Sequence, residues 1–173
     1  YGGDFSGVAH TGSNTVDIPK AIAGGPSSHG IIEGNITVNI DYSNNQKKQT
    51  FRLPAKCNLS GGVPYGVTES VYVGRNDTNT TITLNVKAGG DGSVDALAGV
   101  SIYGDGTAQT TADYNRPQDT LNRANRIIMN IDAPGSSIGD LYATNSRHNL
   151  NKDIQVNVTS AKSINGINGG SAR

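Results

Sequence analysis

Histidine and cysteine, the residue types that most often bind transition metals or act as nucleophiles, are few and widely separated in this sequence. The histidines are His10, His29 and His148, and none forms the His-x-x-x-His spacing that places two ligands on one face of a helix. The single cysteine, Cys57, permits no internal disulfide. Because free cysteines are usually buried, we interpret it as an inert thiol. The sequence therefore predicts neither a metal site nor a catalytic thiol.

The acidic residues do not indicate a hydrolase or a phosphate-binding enzyme. Only Glu33 and Glu69 are glutamates, and the chain has no Trp to line a sugar-binding cleft between an acid and a base. The phosphate-binding spacing Gly-x-x-x-x-Gly-Lys does not occur. The segment from Gly89 to Asp95 lacks the alternating aspartates and downstream glutamate of a calcium loop, so we interpret it as a turn. We expect no enzymatic activity and no cofactor.

Loop residues of the tyrosine, asparagine and charged types are the candidates for ligand contact. Tyrosine offers rigid apolar area with a polar tip, which suits recognition surfaces. In the loops at 61–66, 104–117 and 143–151, the predicted ligand-binding residues are Tyr65, Asp105, Tyr114, Asn115, Arg116 and Asn145. Packing at the rim of a sheet is the alternative role for these tyrosines.

Charge and hydropathy exclude two classes of partner. The 14 basic and 14 acidic residues give a formal net charge of zero, without the basic stripe typical of nucleic-acid binding. No apolar run reaches the roughly 18 residues needed to cross a bilayer as a helix. We therefore expect neither nucleic-acid binding nor membrane insertion.

Alternation of apolar and polar residues is the main structural feature of the sequence. In Thr80–Ala88, the residues Ile82, Leu84, Val86 and Ala88 point to one side of an extended chain, and the polar residues between them point to the other. The same pattern recurs at 35–42 and 153–159. Further strands are predicted at 47–53, 67–73, 96–103, 126–131 and 138–143, with a break at 134–137.

Strands separated by turn residues every 8–12 positions are typical of sandwiches and barrels. The sequence therefore predicts an all-β protein, an antiparallel β-sandwich of immunoglobulin-like or jelly-roll type. No repeat period indicates a solenoid. Residues 1–33 are interpreted as a loosely ordered N-terminal arm or edge strand, residues 34–162 as the sandwich domain and residues 163–173 as a flexible tail.

Two segments, Glu33–Asp41 and Lys152–Thr159, resemble the terminal strands of bacterial fimbrial subunits of the chaperone–usher type. That resemblance implies an incomplete immunoglobulin-like sandwich whose edge groove is filled by an extended strand of the next subunit. It also implies an N-terminal donor arm. The apolar residues available for this assembly arm are Val16, Ile18, Ala21 and Ala23.

The predicted function is that of an exported, non-catalytic structural or adhesive subunit of a surface fibre, with other subunits of a homo- or hetero-polymer as partners. The expected location is the cell surface or the extracellular medium. The alternative is a glycan- or receptor-binding sandwich, such as a lectin-like adhesin or a phage or viral spike domain. A host glycan or receptor is then the partner.

Overall fold

In the computed structural model the elements are all β-strands. The structure describes residues 21–24, 30–32, 34–43, 58–61, 71–73, 80–89, 95, 97–104, 126–143 and 153–169. The strands are β1 (Ala21–Ala23), β2 (Gly30–Ile32), β3 (Ile36–Tyr42), β4 (Asn58–Ser60), β5 (Val71–Val73), β6 (Thr81–Ala88), β7 (Ser101–Tyr103), β8 (Arg126–Tyr142) and β9 (Asp153–Asn168).

Every pairing among these strands is parallel, and the strands stack in the order in which the chain visits them. On one side of the sheet β3 pairs with β6, β6 with β8, and β8 with β9. On the other side β1 pairs with β4, β4 with β7, and β7 with the end of β8. The short strands β2 and β5 form a second parallel pair. The chain thus winds in successive turns, as in β-solenoids.

The long strands β8 and β9 contribute to both sides of the curved, half-barrel-like sheet. The first part of β8 pairs with β6 and its last residues pair with β7. Between these parts the register of β8 against β9 shifts twice, around Asp132 and between Ala133 and Ser137. Pro134 lies in this irregular stretch and is exposed, as expected for a residue that has no amide hydrogen to donate. The sheet bends here.

Apolar side chains form columns inside the sheet, one from each turn. Ile36, Ile82, Ile127 and Ile154 are consecutive register partners, and so are Val38, Leu84, Met129 and Val156. In the middle turns these side chains are fully buried. At about 25 cal/mol per Å² of apolar area removed from water, this stacked core is the main source of stability.

Glycines stand where one turn passes close to the next. Gly61 directly follows β4, and its amide donates a hydrogen bond to the carbonyl oxygen of Tyr103 in the next turn. In the same way Gly104 directly follows β7, and its amide donates to the carbonyl oxygen of Tyr142. A Cβ at Gly104 would lie 2.4 Å from the carbonyl oxygen of Ala143 and 2.6 Å from Cγ2 of Ile127. Only glycine fits, because both neighbours are fixed by the stack.

Within the described residues the prediction of an all-β fold is correct, and the predicted antiparallel sandwich is wrong because every strand pairing described there is parallel. Alternation shows which side chains share a face, but it carries no information on the direction of the neighbouring strand. The absence of a visible repeat period in the sequence has a structural reason. The stacked turns differ in length, with 46, 45 and 27 residues between register partners, so no fixed period is visible.

Single strands are predicted better than their arrangement. The alternation at 80–88 is confirmed, because Ile82, Leu84 and Val86 share the interior. The break predicted at 134–137 is wrong, since β8 runs through it. The strand predicted to end at 159 continues to Asn168, past Ser163, where the flexible tail was expected to begin. The hairpin partner predicted at 47–53 lies outside the described residues.

Candidate functional site: the outer face and the open edge

The outer face of the stack consists of the positions that alternate with the core columns on β3, β6, β8 and β9, and these residues are polar except for Ile128. The strand register sets these side chains in rows that run across the four strands, about 4.8 Å apart from strand to strand. The central row contains four asparagines, one from each turn: Asn39, Asn85, Asn130 and Asn157. We call it the asparagine ladder.

Hydrogen bonds along the asparagine ladder all run in one direction. Nδ2 of Asn85 donates to Oδ1 of Asn39 at 2.8 Å. Nδ2 of Asn130 donates to Oδ1 of Asn85 at 2.7 Å, and Nδ2 of Asn157 donates to Oδ1 of Asn130 at 2.7 Å. The ladder therefore ends with a donor group on Asn39 and with an acceptor oxygen on Asn157.

Other rows of the outer face contain charged residues of both signs. At one end Nε of Arg126 lies 3.1 Å from Oδ2 of Asp153, an exposed ion pair worth about 0–1 kcal/mol. On the other side of the ladder, Oγ of Ser160 donates to Oδ1 of Asp132 at 2.6 Å. Lys87 is the register partner of Asp132. The outer face is thus polar without a dominant charge, a surface suited to neutral, hydrogen-bonding contacts.

The second feature is the edge of the sheet at β9, which we call the open edge. Among the described strands β9 pairs only with β8, and no described strand pairs with its other side. Its inward apolar side chains are less covered than those of earlier turns: Ile154 and Val156 are half-buried, Val158 is 38% exposed and Ile167 is 58% exposed. A long edge with exposed apolar side chains is a template for strand addition.

A pair of tyrosines lies where β7 pairs with the end of β8. The rings of Tyr103 and Tyr142 stack with centroids 5.0 Å apart and planes 7° from parallel. The Tyr142 hydroxyl donates to Oδ2 of Asp140 at 3.4 Å, and Nδ2 of Asn165 donates to the other oxygen of that carboxylate at 2.9 Å. Burial, followed by the charge of and hydrogen bond to Asp140, raises the pKa of Tyr142 above its usual value.

A nucleophile motif missed by the sequence interpretation occurs at Gly135–Gly139, which reads Gly-Ser-Ser-Ile-Gly. In hydrolases the Gly-x-Ser-x-Gly spacing forms a sharp turn between a strand and a helix. Here the segment lies within β8, and the Ser137 amide donates to the Asp95 carboxylate at 3.1 Å. Oγ of Ser136 is buried and has no hydrogen-bond partner. The motif therefore lacks the geometry of a nucleophile elbow.

The candidate residues named from the sequence are placed as follows. Of the assembly-arm residues, Ala21 and Ala23 lie in β1, which pairs with β4 of the same chain, and the role of the arm stays a prediction. The remaining candidates lie outside the described residues: Val16, Ile18, Tyr65, Asp105, Tyr114, Asn115, Arg116 and Asn145. The three histidines and Cys57 also lie outside them.

The asparagine ladder was not foreseen, although the sequence contains a signal for it. Each ladder residue stands between two apolar residues, in the tripeptides Val38–Ile40, Leu84–Val86, Met129–Ile131 and Val156–Val158. Four apolar–Asn–apolar tripeptides can be aligned as equivalent positions of stacked turns once a parallel arrangement is considered.

Other kinds of site find no support within the described ranges. In those residues no group of three or more His, Cys, Asp or Glu side chains lies close enough together to hold a metal ion. The same residues include no helix long and apolar enough to cross a membrane.

Comparison with protein-family models, with curated protein sequences and with solved structures finds no match to this chain. The outer face and the open edge are therefore interpreted from their own geometry.

Proposed function

We propose that this chain is a non-catalytic structural or adhesive segment of an exported surface fibre, in which the stacked turns act as a rigid shaft. The observation that supports the proposal best is the in-register parallel stack, in which β9 is the last strand among the described residues and no described strand pairs with its outer edge. Stacked turns extend along one axis, and each new turn covers the core of the turn before it. Such a shaft can be lengthened by the addition of further turns.

The assembly step in this proposal is strand addition at an open edge. The pilin mechanism, which fills the groove of an incomplete sandwich, does not apply to a parallel sheet. Addition of a strand to β9 uses the same physical interactions, namely backbone hydrogen bonds together with alternate side chains that enter the core. The half-buried Ile154 and Val156 are the apolar positions available for it.

Size-exclusion chromatography with light scattering and negative-stain electron microscopy test the proposed function. We expect elongated multimers whose mass rises with protein concentration. A compact monomer over the whole accessible range would refute the fibre function. Deletion of residues 1–20, which removes Val16 and Ile18 and keeps β1, tests the donor arm separately, since unchanged multimers would show that the arm is dispensable.

A second candidate function, glycan binding, is favoured by the cluster around Tyr142. Sugars are commonly bound by an aromatic ring together with carboxylate and amide groups, and Tyr142, Asp140 and Asn165 provide these groups on one surface. A glycan array with the wild-type chain and with Tyr142→Ala tests this function. We expect a ligand that is lost in the variant, and the absence of any ligand would refute it.

A further inference from the structure

We propose that the open edge of β9 binds the β3 edge of a second copy of this chain, head to tail and in parallel, so that the asparagine ladder continues from one copy into the next. This inference rests on the proposed fibre function and names the partner and the register of its assembly step. Two observations support it: the common direction of the hydrogen bonds in the asparagine ladder, and the alignment of the apolar columns of β3 with those of β9.

The two ends of the asparagine ladder are chemically complementary. Among the described residues no acceptor is recorded for Nδ2 of Asn39, and Asn39 is exposed at the β3 end of the described sheet. At the β9 end Oδ1 of Asn157 accepts one hydrogen bond, from Nε2 of Gln155 at 3.3 Å, and a carbonyl oxygen can accept two. A second copy whose β3 lies beside β9 therefore brings a free donor to an acceptor with spare capacity.

The opposite arrangement, β9 against β9 around a two-fold axis, lacks this complementarity. It joins two acceptor ends, because Nδ2 of Asn157 is already used within the chain to reach Asn130. A β3-to-β9 contact is heterologous, and heterologous contacts that do not close into a ring produce open filaments. The direction of the ladder therefore selects the filament over the symmetric dimer.

The core columns also match across the proposed junction. The register of the stack places the β3 residues Ile36, Val38 and Ile40 in the same columns as the β9 residues Ile154, Val156 and Val158. A second copy that continues these columns covers the exposed part of Val158 with apolar side chains. The inward side chains of β3 are only 6–8% exposed, so the area gained at the junction lies mainly on β9.

Two substitutions separate the junction from the fold. Asn39→Asp keeps an oxygen that accepts the hydrogen bond from Asn85, yet it removes the donor that points to the next copy. We expect an unchanged unfolding midpoint and association about tenfold weaker, the effect of one lost hydrogen bond of about 1.4 kcal/mol. Thr37→Asp adds the same charge on the same face without removing a ladder donor, and we expect association near the wild-type value.

The same substitution at the other end of the asparagine ladder is expected to affect the fold and not the association. Asn157→Asp keeps an acceptor for the next copy and loses the donor that holds Asn130. We expect a lower unfolding midpoint with association retained at temperatures where the chain is folded. Equal effects of Asn39→Asp and Asn157→Asp on association would overturn the direction assigned to the ladder.

Cross-linking between copies fixes the register. In a Cys57→Ser background, Thr37→Cys and Gln155→Cys are prepared as separate chains, because these positions become direct neighbours at the junction. Parallel neighbours lie about 4.8 Å apart, within the Cα separation that a disulfide spans. After mild oxidation we expect linked dimers only in the mixture of the two variants.

The possible outcomes distinguish the junction from the fibre function. Multimers that form without this cross-link overturn the junction and leave the fibre function standing. Dimers that Gln155→Cys forms with itself overturn the head-to-tail arrangement in favour of the symmetric one. A wild-type chain that stays monomeric at every concentration overturns both.

Discussion

Replacement of Asn85 by valine tests whether the hydrogen bonds of the asparagine ladder contribute more to stability than the higher strand propensity of valine. Asn85 takes part in two ladder bonds, as donor to Asn39 and as acceptor from Asn130. Each such bond contributes about 0.5–1.5 kcal/mol, so their loss costs about 1–3 kcal/mol. Valine is the better strand former, by up to about 1 kcal/mol. The net expectation is a chain that is about 1 kcal/mol less stable.

The assay is urea unfolding followed by circular dichroism, together with the thermal midpoint. For a chain of this size 1 kcal/mol corresponds to about 2–4 °C. Thr83→Val, on the same strand and the same face but outside the ladder, is the matched control, and we expect it to be neutral or slightly stabilising. A stability of Asn85→Val equal to or above that of the wild type would refute the energetic role of the ladder.

Three further predictions concern a glycine between neighbouring turns, a buried hydroxyl group and the pH dependence of stability. Gly104→Ala should destabilise the chain by about 1–3 kcal/mol in chemical unfolding, because its Cβ meets backbone and core atoms, whereas Gly34→Ala, with nothing within 4 Å, should not destabilise it. Thr80→Val should raise the unfolding free energy by about 1 kcal/mol, since it removes a buried hydroxyl that has no partner; a lower midpoint would contradict this. Burial and Asp140 raise the pKa of Tyr142 in the folded state. The contribution of Tyr142 to the free energy of unfolding is therefore complete below its pKa in the unfolded chain, about 10, and is lost as the pH rises through its pKa in the folded chain. Unfolding titrations at alkaline pH should show this loss in the wild type and a smaller one in Tyr142→Phe, and identical pH profiles would contradict the prediction.

The sequence was sufficient to predict which residues of a strand share a face. At β6 the alternation of Ile82, Leu84 and Val86 with polar residues reflects a real division between interior and solvent. The pattern was taken to mean an antiparallel sandwich because turn residues recur every 8–12 positions, as they do in sandwiches and barrels. Parallel sheets, in contrast, are usually covered on both faces. A solenoid departs from that tendency, since its parallel sheet has one face in the core and one in water.

The arrangement of the strands depends on contacts between residues that are far apart in the chain. The partners in the asparagine ladder are separated by 46, 45 and 27 residues, and the unequal lengths of the turns hide the repeat. Glycines such as Gly61 and Gly104 were interpreted as turn residues, whereas their role is to allow close approach of the next turn. The need for close approach becomes visible only when the turns are stacked.

The most direct test of the parallel, in-register stack is the pattern of backbone nuclear Overhauser contacts of β6. For two parallel strands, the difference between the sequence numbers of paired residues is the same along the whole pairing. For two antiparallel strands, the sum of these sequence numbers is the same instead. We predict that Ile82, Leu84 and Val86 contact Ile36, Val38 and Ile40 in that order. Contacts in the reverse order, or with residues adjacent to β6 in a hairpin, would contradict the fold on which the proposed fibre rests.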